Sequence, residues 1–207
     1  IRSKYCMVIA ETVRPVPLFP LFFHPTGTLL PLTTPVKTGV RPQLYKKIDQ
    51  FIKARRRPNF WHYRNSPPFG DILRVLKRYD LLPAIFFLKS RADCDGALDS
   101  CRDNQILAPE RIQRLSLKME TYIQHTPHIA THRQRWYLEN LAVGAHHSGQ
   151  LPSWKLVLER LMTEGLLDAV FATSTVAAGV NFPARTVVFF NSDRFNGKNF
   201  LPLTSTE

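Results

Sequence analysis

Apolar residues along this chain fall into short, separated groups whose spacing changes character twice. Ahead of residue 44 the chain is proline-rich and extended, with β-type pieces near Tyr5–Ala10 and Leu18–Phe23. Residues 1–43 therefore read as a linker with a small β element, and 44–207 as the main domain. Over 44–57, Leu44, Ile48, Phe51 and Ile52 recur at helical spacing, and Lys and Arg fill a solvated opposite face. Ser66-Pro67-Pro68 opens a second helix, with Ile72, Leu73, Leu76 and Tyr79 on its apolar side. From Pro83 the pattern alternates. Pro83–Leu88 is a continuous apolar run, as in a strand buried on both faces. Helical spacing follows over 91–103, 109–124 and 130–141, then a brief strand at Ala142–Ala145. A strongly amphipathic helix spans 152–165, stopped by Gly165, followed by a strand at Leu167–Ala172, a helical turn at 174–178 and a strand at Arg185–Phe190. Strands alternating with helices through short loops predict an α/β fold built on a parallel sheet.

In such sheets the working groups sit in loops at the carboxyl ends of strands, beside helix N-termini. Three loops meet that description: Lys89-Ser90-Arg91, Ala145-His146-His147-Ser148-Gly149 and Thr173-Ser174-Thr175. They carry hydroxyls, glycine, and cationic or imidazole groups, which suit phosphate oxygens. Charge sharpens that reading. The 207 residues hold 28 Lys+Arg against 16 Asp+Glu, a net charge of +12, which favours a polyanionic partner. Hydrophobic residues at 44% and charged residues at 21% are ordinary for a folded domain. Three cysteines (Cys6, Cys94, Cys101) without a CxxC pair argue against a disulfide framework and suit a reducing cytoplasm. No apolar run is long enough to span a bilayer, so no membrane partner is expected. The first residue is not Met and the last stretch has no helix cap, which predicts a start and an end within a longer protein.

Other signals are weaker. Gly144 to Gly149 has the outer spacing of a phosphate-cradling P-loop, but Gln150 and Leu151 stand where Lys and Ser or Thr are required. His125, His128 and His132 have zinc-like spacing, yet no Cys or carboxylate completes a set, and a solvent-facing stretch is expected. His146 and His147 lack an acidic or nucleophilic partner at readable spacing. Asp93, Asp95, Asp99 and Asp103 read as solvated helix surface, Cys94 and Cys101 as buried thiols, and Trp136, Tyr137 and Leu141 as core. A small-molecule α/β enzyme is disfavoured because no acid/base pair or nucleophile elbow is present.

Two longer stretches carry a resemblance. PAIFFLKSRADCDGAL is similar to helicase motif IV and its following helix. VGAHHSGQLPSWKLVLERLMTEGLLDAVFATSTVAAGVNFPARTVVFF is similar to the segment through motif V. Together they resemble the second RecA-like domain of DExH-box helicases of the Ski-like group in superfamily 2, and ETVRPVPL resembles the strand by which that family leaves its first motor domain. The resemblance implies that Ser90, Arg91, His147, Ser148, Gly149, Thr173 and Ser174 contact a nucleic-acid backbone. Gly179 and Asn181 would lie near a nucleotide cleft. It implies a cytoplasmic ATP-dependent helicase as the whole protein, using ATP and magnesium, with single-stranded or partly duplex RNA or DNA and the first RecA-like domain of the same polypeptide as partners. No P-loop or DExH box is present, and the chain ends at Glu207 after the DRFNGKNF segment without an arginine-finger motif VI. This chain by itself is therefore expected to bind no cofactor or metal, to contain no catalytic residue and to hydrolyse no ATP. The alternative is a non-catalytic basic module of the same fold that binds single strands.

Overall fold

The computed structural model describes residues 16–34, 42–55, 67–103, 107–173, 182–190, 193–195 and 200–202. These belong to two compact units, 1–66 and 67–207.

In the first unit β1 (Leu21–His24) and β2 (Thr28–Pro31) pair antiparallel in a hairpin. Gly27, at φ +83°, takes the left-handed position in its turn, and its N–H donates to the His24 carbonyl at 2.9 Å. Helix α1 (Lys46–Arg55) is joined to this hairpin by a bridge between Thr33 and Leu44. The Phe51 ring lies 6.0 Å from Phe22 and 4.6 Å from His24. Spacing alone groups this helix with the domain that follows it, whereas its aromatic residue packs on the hairpin.

The second unit runs α2 (Phe69–Arg78), β3 (Ala84–Phe87), α3 (Arg91–Asp99), α4 (Pro109–His125), a 3-10 turn (Pro127–Ile129), α5 (Arg135–Leu141), β4 (Val143–His146), α6 (Pro152–Thr163), β5 (Ala169–Ala172) and β6 (Thr186–Phe189). A short antiparallel pair, β7 (Asp193–Phe195) and β8 (Phe200–Pro202), follows. The four longer strands form one sheet in the order β4-β5-β3-β6, every neighbour parallel. The strands β3, β4 and β5 are nearly all apolar and nearly all buried, as the continuous apolar runs require.

Alternation along the strands splits their side chains between two layers. Ile85, Val170 and Ala172 meet Leu115 and Met119 of α4 and Trp154, Val157, Leu158, Leu161 and Met162 of α6. Gly144 allows α6 to approach this closely, since a methyl built on it would sit 2.4 Å from Leu158 Cδ2. On the other face Phe86 and Phe171 receive the Phe69 ring of α2 at 5.8 and 5.1 Å, and α3 buries Cys94, Ala97 and Leu98. Burial pushes the Cys94 and Cys101 thiols up to about 12, so both stay protonated and inert.

Helix ends follow local chemistry. Gly165 (φ +69°) closes α6: its N–H donates to Met162 O and that of Leu166 to Leu161 O, at 3.0 and 2.9 Å. The same paired closure ends α2 with Asp80 (φ +55°) in glycine's place, Leu81 N–H reaching Leu76 O at 2.9 Å. Two helices are shorter than their periodicity. Ser100 turns its hydroxyl onto Ala97 O at 2.9 Å and α3 stops at Asp99 instead of 103. Residues 130–134 form turns rather than a first helical stretch, because the His132 ring stacks on Trp154 at 3.8 Å. The expected helical turn at 174–178 and strand at 5–10 lie outside the described residues.

Candidate nucleic-acid interface

Register places the strand ends. Phe87 pairs with Ala172 and Ala172 with His146, so three neighbouring strands finish in one row and their loops leave the same edge. Among the residues singled out above, Ser90, Arg91, His147, Ser148, Gly149 and Thr173 therefore share one rim. Ser174, Gly179 and Asn181 lie outside the described residues.

On the rim these residues are not equivalent. Ser90 is the N-cap of α3: its oxygen accepts the Asp93 N–H at 3.0 Å, and its hydroxyl donates to Asp93 Oδ2 at 2.7 Å. Arg91 is exposed, with no ion pair among the described residues. Ser148 and Gly149 are exposed and Thr173 is half-buried. Gly149 packs against its own loop and the neighbouring one, since a methyl on it would meet His147 Nδ1 at 3.1 Å and Arg91 Cδ at 3.3 Å. The His147 ring is only 3% exposed and points inward. Its side chain therefore holds the loop, and position 147 faces the rim only through its backbone.

Behind the loop lies a buried polar cluster. His147 Nε2 lies 3.4 Å from Asp95 Oδ1 and its Nδ1 accepts the Gly149 N–H at 3.2 Å. Gln150 lies between His147 (3.1 Å) and His132 (3.0 Å). Gln134, 1% exposed, is the hub. Its Oε1 accepts from Ala145 N–H of β4 and Trp154 Nε1–H of α6, each at 3.1 Å, and its Nε2 donates to Asp95 Oδ1 at 3.2 Å. Arg133 pairs with the other Asp95 oxygen. One amide thus ties β4, α6 and α3 together directly behind the rim. Sequence spacing gives no sign of this cluster, because residues 95, 134, 147, 150 and 154 come from four separate stretches.

Other candidate groups fall differently from their sequence reading. Asp95 is half-buried in the cluster instead of solvated, whereas Asp93, Asp99 and Asp103 are exposed as expected, Asp99 also accepting from the Tyr137 hydroxyl. Trp136 is 44% exposed rather than core, whereas Tyr137 and Leu141 are buried. His146 does have an acidic partner: its Nε2 lies 3.0 Å from Glu159 Oε1, and the edge of its ring meets Phe182 at 5.6 Å. Of the three spaced histidines, His125 pairs with Thr121 O, His128 with Ser153 and His132 with Gln150. No three His, Cys, Asp or Glu among the described residues gather as a metal site. No helix among the described residues is long and apolar enough to cross a membrane.

The four-stranded parallel sheet flanked by helices has the architecture of a RecA-like helicase domain. No family model matches the chain. It is similar to the probable helicase HelY of Mycobacterium leprae, 36% identical over 235 residues, which covers 97% of this chain and 24% of that protein. HelY of Mycobacterium tuberculosis is 31% identical over 234 residues with the same coverage. The Exosome RNA helicase MTR4 of Homo sapiens is 27% identical over 224 residues, 100% of this chain and 21% of that protein. The chain spans about a quarter of the length of these curated relatives. It belongs to the DExH-box helicases of superfamily 2, in the Ski-like group.

Two predictions follow from the cluster's burial. Gln134→Ala leaves the Ala145 and Trp154 N–H groups without an acceptor, so it should destabilise the unit by about 2–5 kcal/mol; an unchanged urea midpoint would refute the hub role. Burial also lowers the pKa values of His147 and His132 from the usual 6.5, although Asp95 and Gln150 respectively pull the other way. As pH falls past about 6.5 the unfolded chain takes up protons first, so stability is full above that value and declines below it. Thermal midpoints should fall between about pH 7.5 and 5.5, and the slope should flatten in His132→Gln/His147→Gln. A midpoint that rises on acidification would contradict the burial argument.

Proposed function

We propose that this chain is the second RecA-like domain of an ATP-dependent nucleic-acid helicase and that its carboxyl rim grips the sugar-phosphate backbone of the strand being moved. The supporting observation is the shared strand register, which gathers Arg91, the Ser148-Gly149 backbone and Thr173 along one edge of a chain of net charge +12. Contacts of this kind position a strand without reading its bases, so RNA and DNA both fit, and affinity depends on salt. Ser90 contributes by fixing the start of α3, and the His147 ring fixes the loop through the Gly149 N–H. Residues 1–43 act as the linker from a first motor domain, and the whole protein works in the cytoplasm.

The described rim does not fit a magnesium nucleotide. Gln150 and Leu151 replace the lysine and hydroxyl of a P-loop, and the nearby Asp95 carboxylate is engaged by Arg133 and Gln134. ATP and magnesium are accordingly assigned to the facing first domain, with Gly179 and Asn181 as this chain's side of the cleft. This chain alone is then inactive as an ATPase.

Fluorescence anisotropy with a labelled single strand tests the grip. Arg91→Ala should weaken binding roughly three- to tenfold and lower the slope of log affinity against log salt by about 0.7, the share of one phosphate contact on a single strand. Thr173→Ala should weaken binding without that change in slope. Unchanged affinity and slope in both variants would remove the rim from the interface.

A further inference from the structure

The hydrogen-bond inventory behind the 147–150 loop does not balance. Backbone N–H groups can only donate. The Gln134 N–H points at His132 Nδ1 (3.3 Å) and the Gly149 N–H at His147 Nδ1 (3.2 Å). Each neutral ring must therefore accept at Nδ1 and carry its proton on Nε2. Both Nε2–H groups then meet one side chain, the Gln150 amide, with His132 at 3.0 Å from its oxygen and His147 at 3.1 Å from its nitrogen. The oxygen serves one ring, and the other ring's N–H faces an NH2, donor against donor. Flipping the amide moves the conflict to the other histidine without removing it. Asp95 Oδ1, at 3.4 Å, can take the His147 Nε2–H beside the Gln134 amide, since a carboxylate oxygen accepts more than one bond; the mismatch that remains is the Gln150 NH2, which faces that N–H instead of an acceptor. His147 and Gln150 are both more than nine-tenths buried, where an ill-matched donor is costly.

One change resolves the conflict, and it lies at the exposed end of the chain of bonds. If an anion takes the Gly149 N–H, His147 Nδ1 is released from its role as acceptor. We propose that His147 is a tautomer switch that senses phosphate at Ser148-Gly149. With a phosphodiester oxygen on the Gly149 N–H, a proton leaves Nε2 and one arrives at Nδ1 by exchange with solvent, and the ring stays neutral. The Gln150 NH2 then donates to the vacated Nε2, its oxygen keeps the His132 N–H, and the new Nδ1–H faces the anion. Asp95 keeps its bonds from Gln134 and Arg133 throughout. Burial above all disfavours a full imidazolium; Asp95 opposes this, and Arg133 and Arg91, the cations facing His147, add to it. Strand contact at the surface is thereby written into the buried bond between His147 and the Gln150 amide, while the His132 ring stacked on Trp154 keeps its place. This proposal rests on the reading of the rim as a phosphate contact.

The test uses the chain labelled with 15N-histidine, with and without oligouridylate or oligothymidylate of about ten nucleotides. Anisotropy on the same samples reports binding separately. Long-range 15N–1H correlations distinguish the two neutral tautomers and the imidazolium, and His147→Gln assigns the signal. The free chain should show His147 as the Nε2–H form, and the bound chain the Nδ1–H form, with His132 unchanged. In Gln150→Met the conflict is absent, so His147 should keep its Nε2–H form when the strand binds, with affinity lower by roughly two- to tenfold. Binding with an unchanged His147 tautomer, binding with an imidazolium, or a shift that survives Gln150→Met would each overturn the switch. Absence of binding to either oligonucleotide would instead overturn the interface beneath it.

Discussion

Parallel strands that pair in register end together, and that constraint organises everything at the candidate interface. Ala172 lies between Phe87 and His146 in the ladder, so β5 sets where the loops of β3 and β4 emerge. The connections out of β3 and β4 are short and lead to α3 and α6, which leaves small residues and backbone amides at the rim. The packing is tightest at two glycines: a methyl on Gly144 would clash with Leu158 at 2.4 Å, and one on Gly149 would press on His147 and Arg91 at 3.1 to 3.3 Å.

Holding three loops at one level needs more than the ladder, because loops are where backbone order is weakest. The Gln134 amide meets that need from behind. It bonds to β4, α6 and α3 at once, and the Asp95 carboxylate carries the tie onward to Arg133. A buried amide with three partners is stabilising only while all three are present. The same cluster contains a residual conflict at Gln150, close to the surface, where a ligand could relieve it. Rigidity at the hub and imbalance at the rim are thus neighbours within one hydrogen-bonded group.

Much of the layered core was legible in the sequence. Continuous apolar runs mark β3 and β5, and the stripe from Trp154 to Met162 marks α6, because burial on both faces or on one stripe dictates composition locally. The three strand-end loops follow from those elements and the rule for parallel sheets. What was not legible is non-local. Strand order depends on which neighbours pair, not on any one segment. Trp136 and Tyr137 are adjacent aromatics, yet one faces out and the other in, which depends on how α5 is rotated against α3. His132 looks solvent-facing by composition and is instead drawn onto Trp154, shortening the helix that periodicity predicts. The roles of Asp95 and Gln134 emerge only when four stretches meet.

Photocrosslinking tests the central claim most directly. A single strand carrying 4-thiouridine at several positions would be irradiated with the chain and the attachment sites mapped by mass spectrometry. The account predicts adducts within 88–91, 147–151 and at Thr173. Adducts concentrated instead at the amino ends of the strands, around Asp80, Asp168 and Arg185, would contradict it.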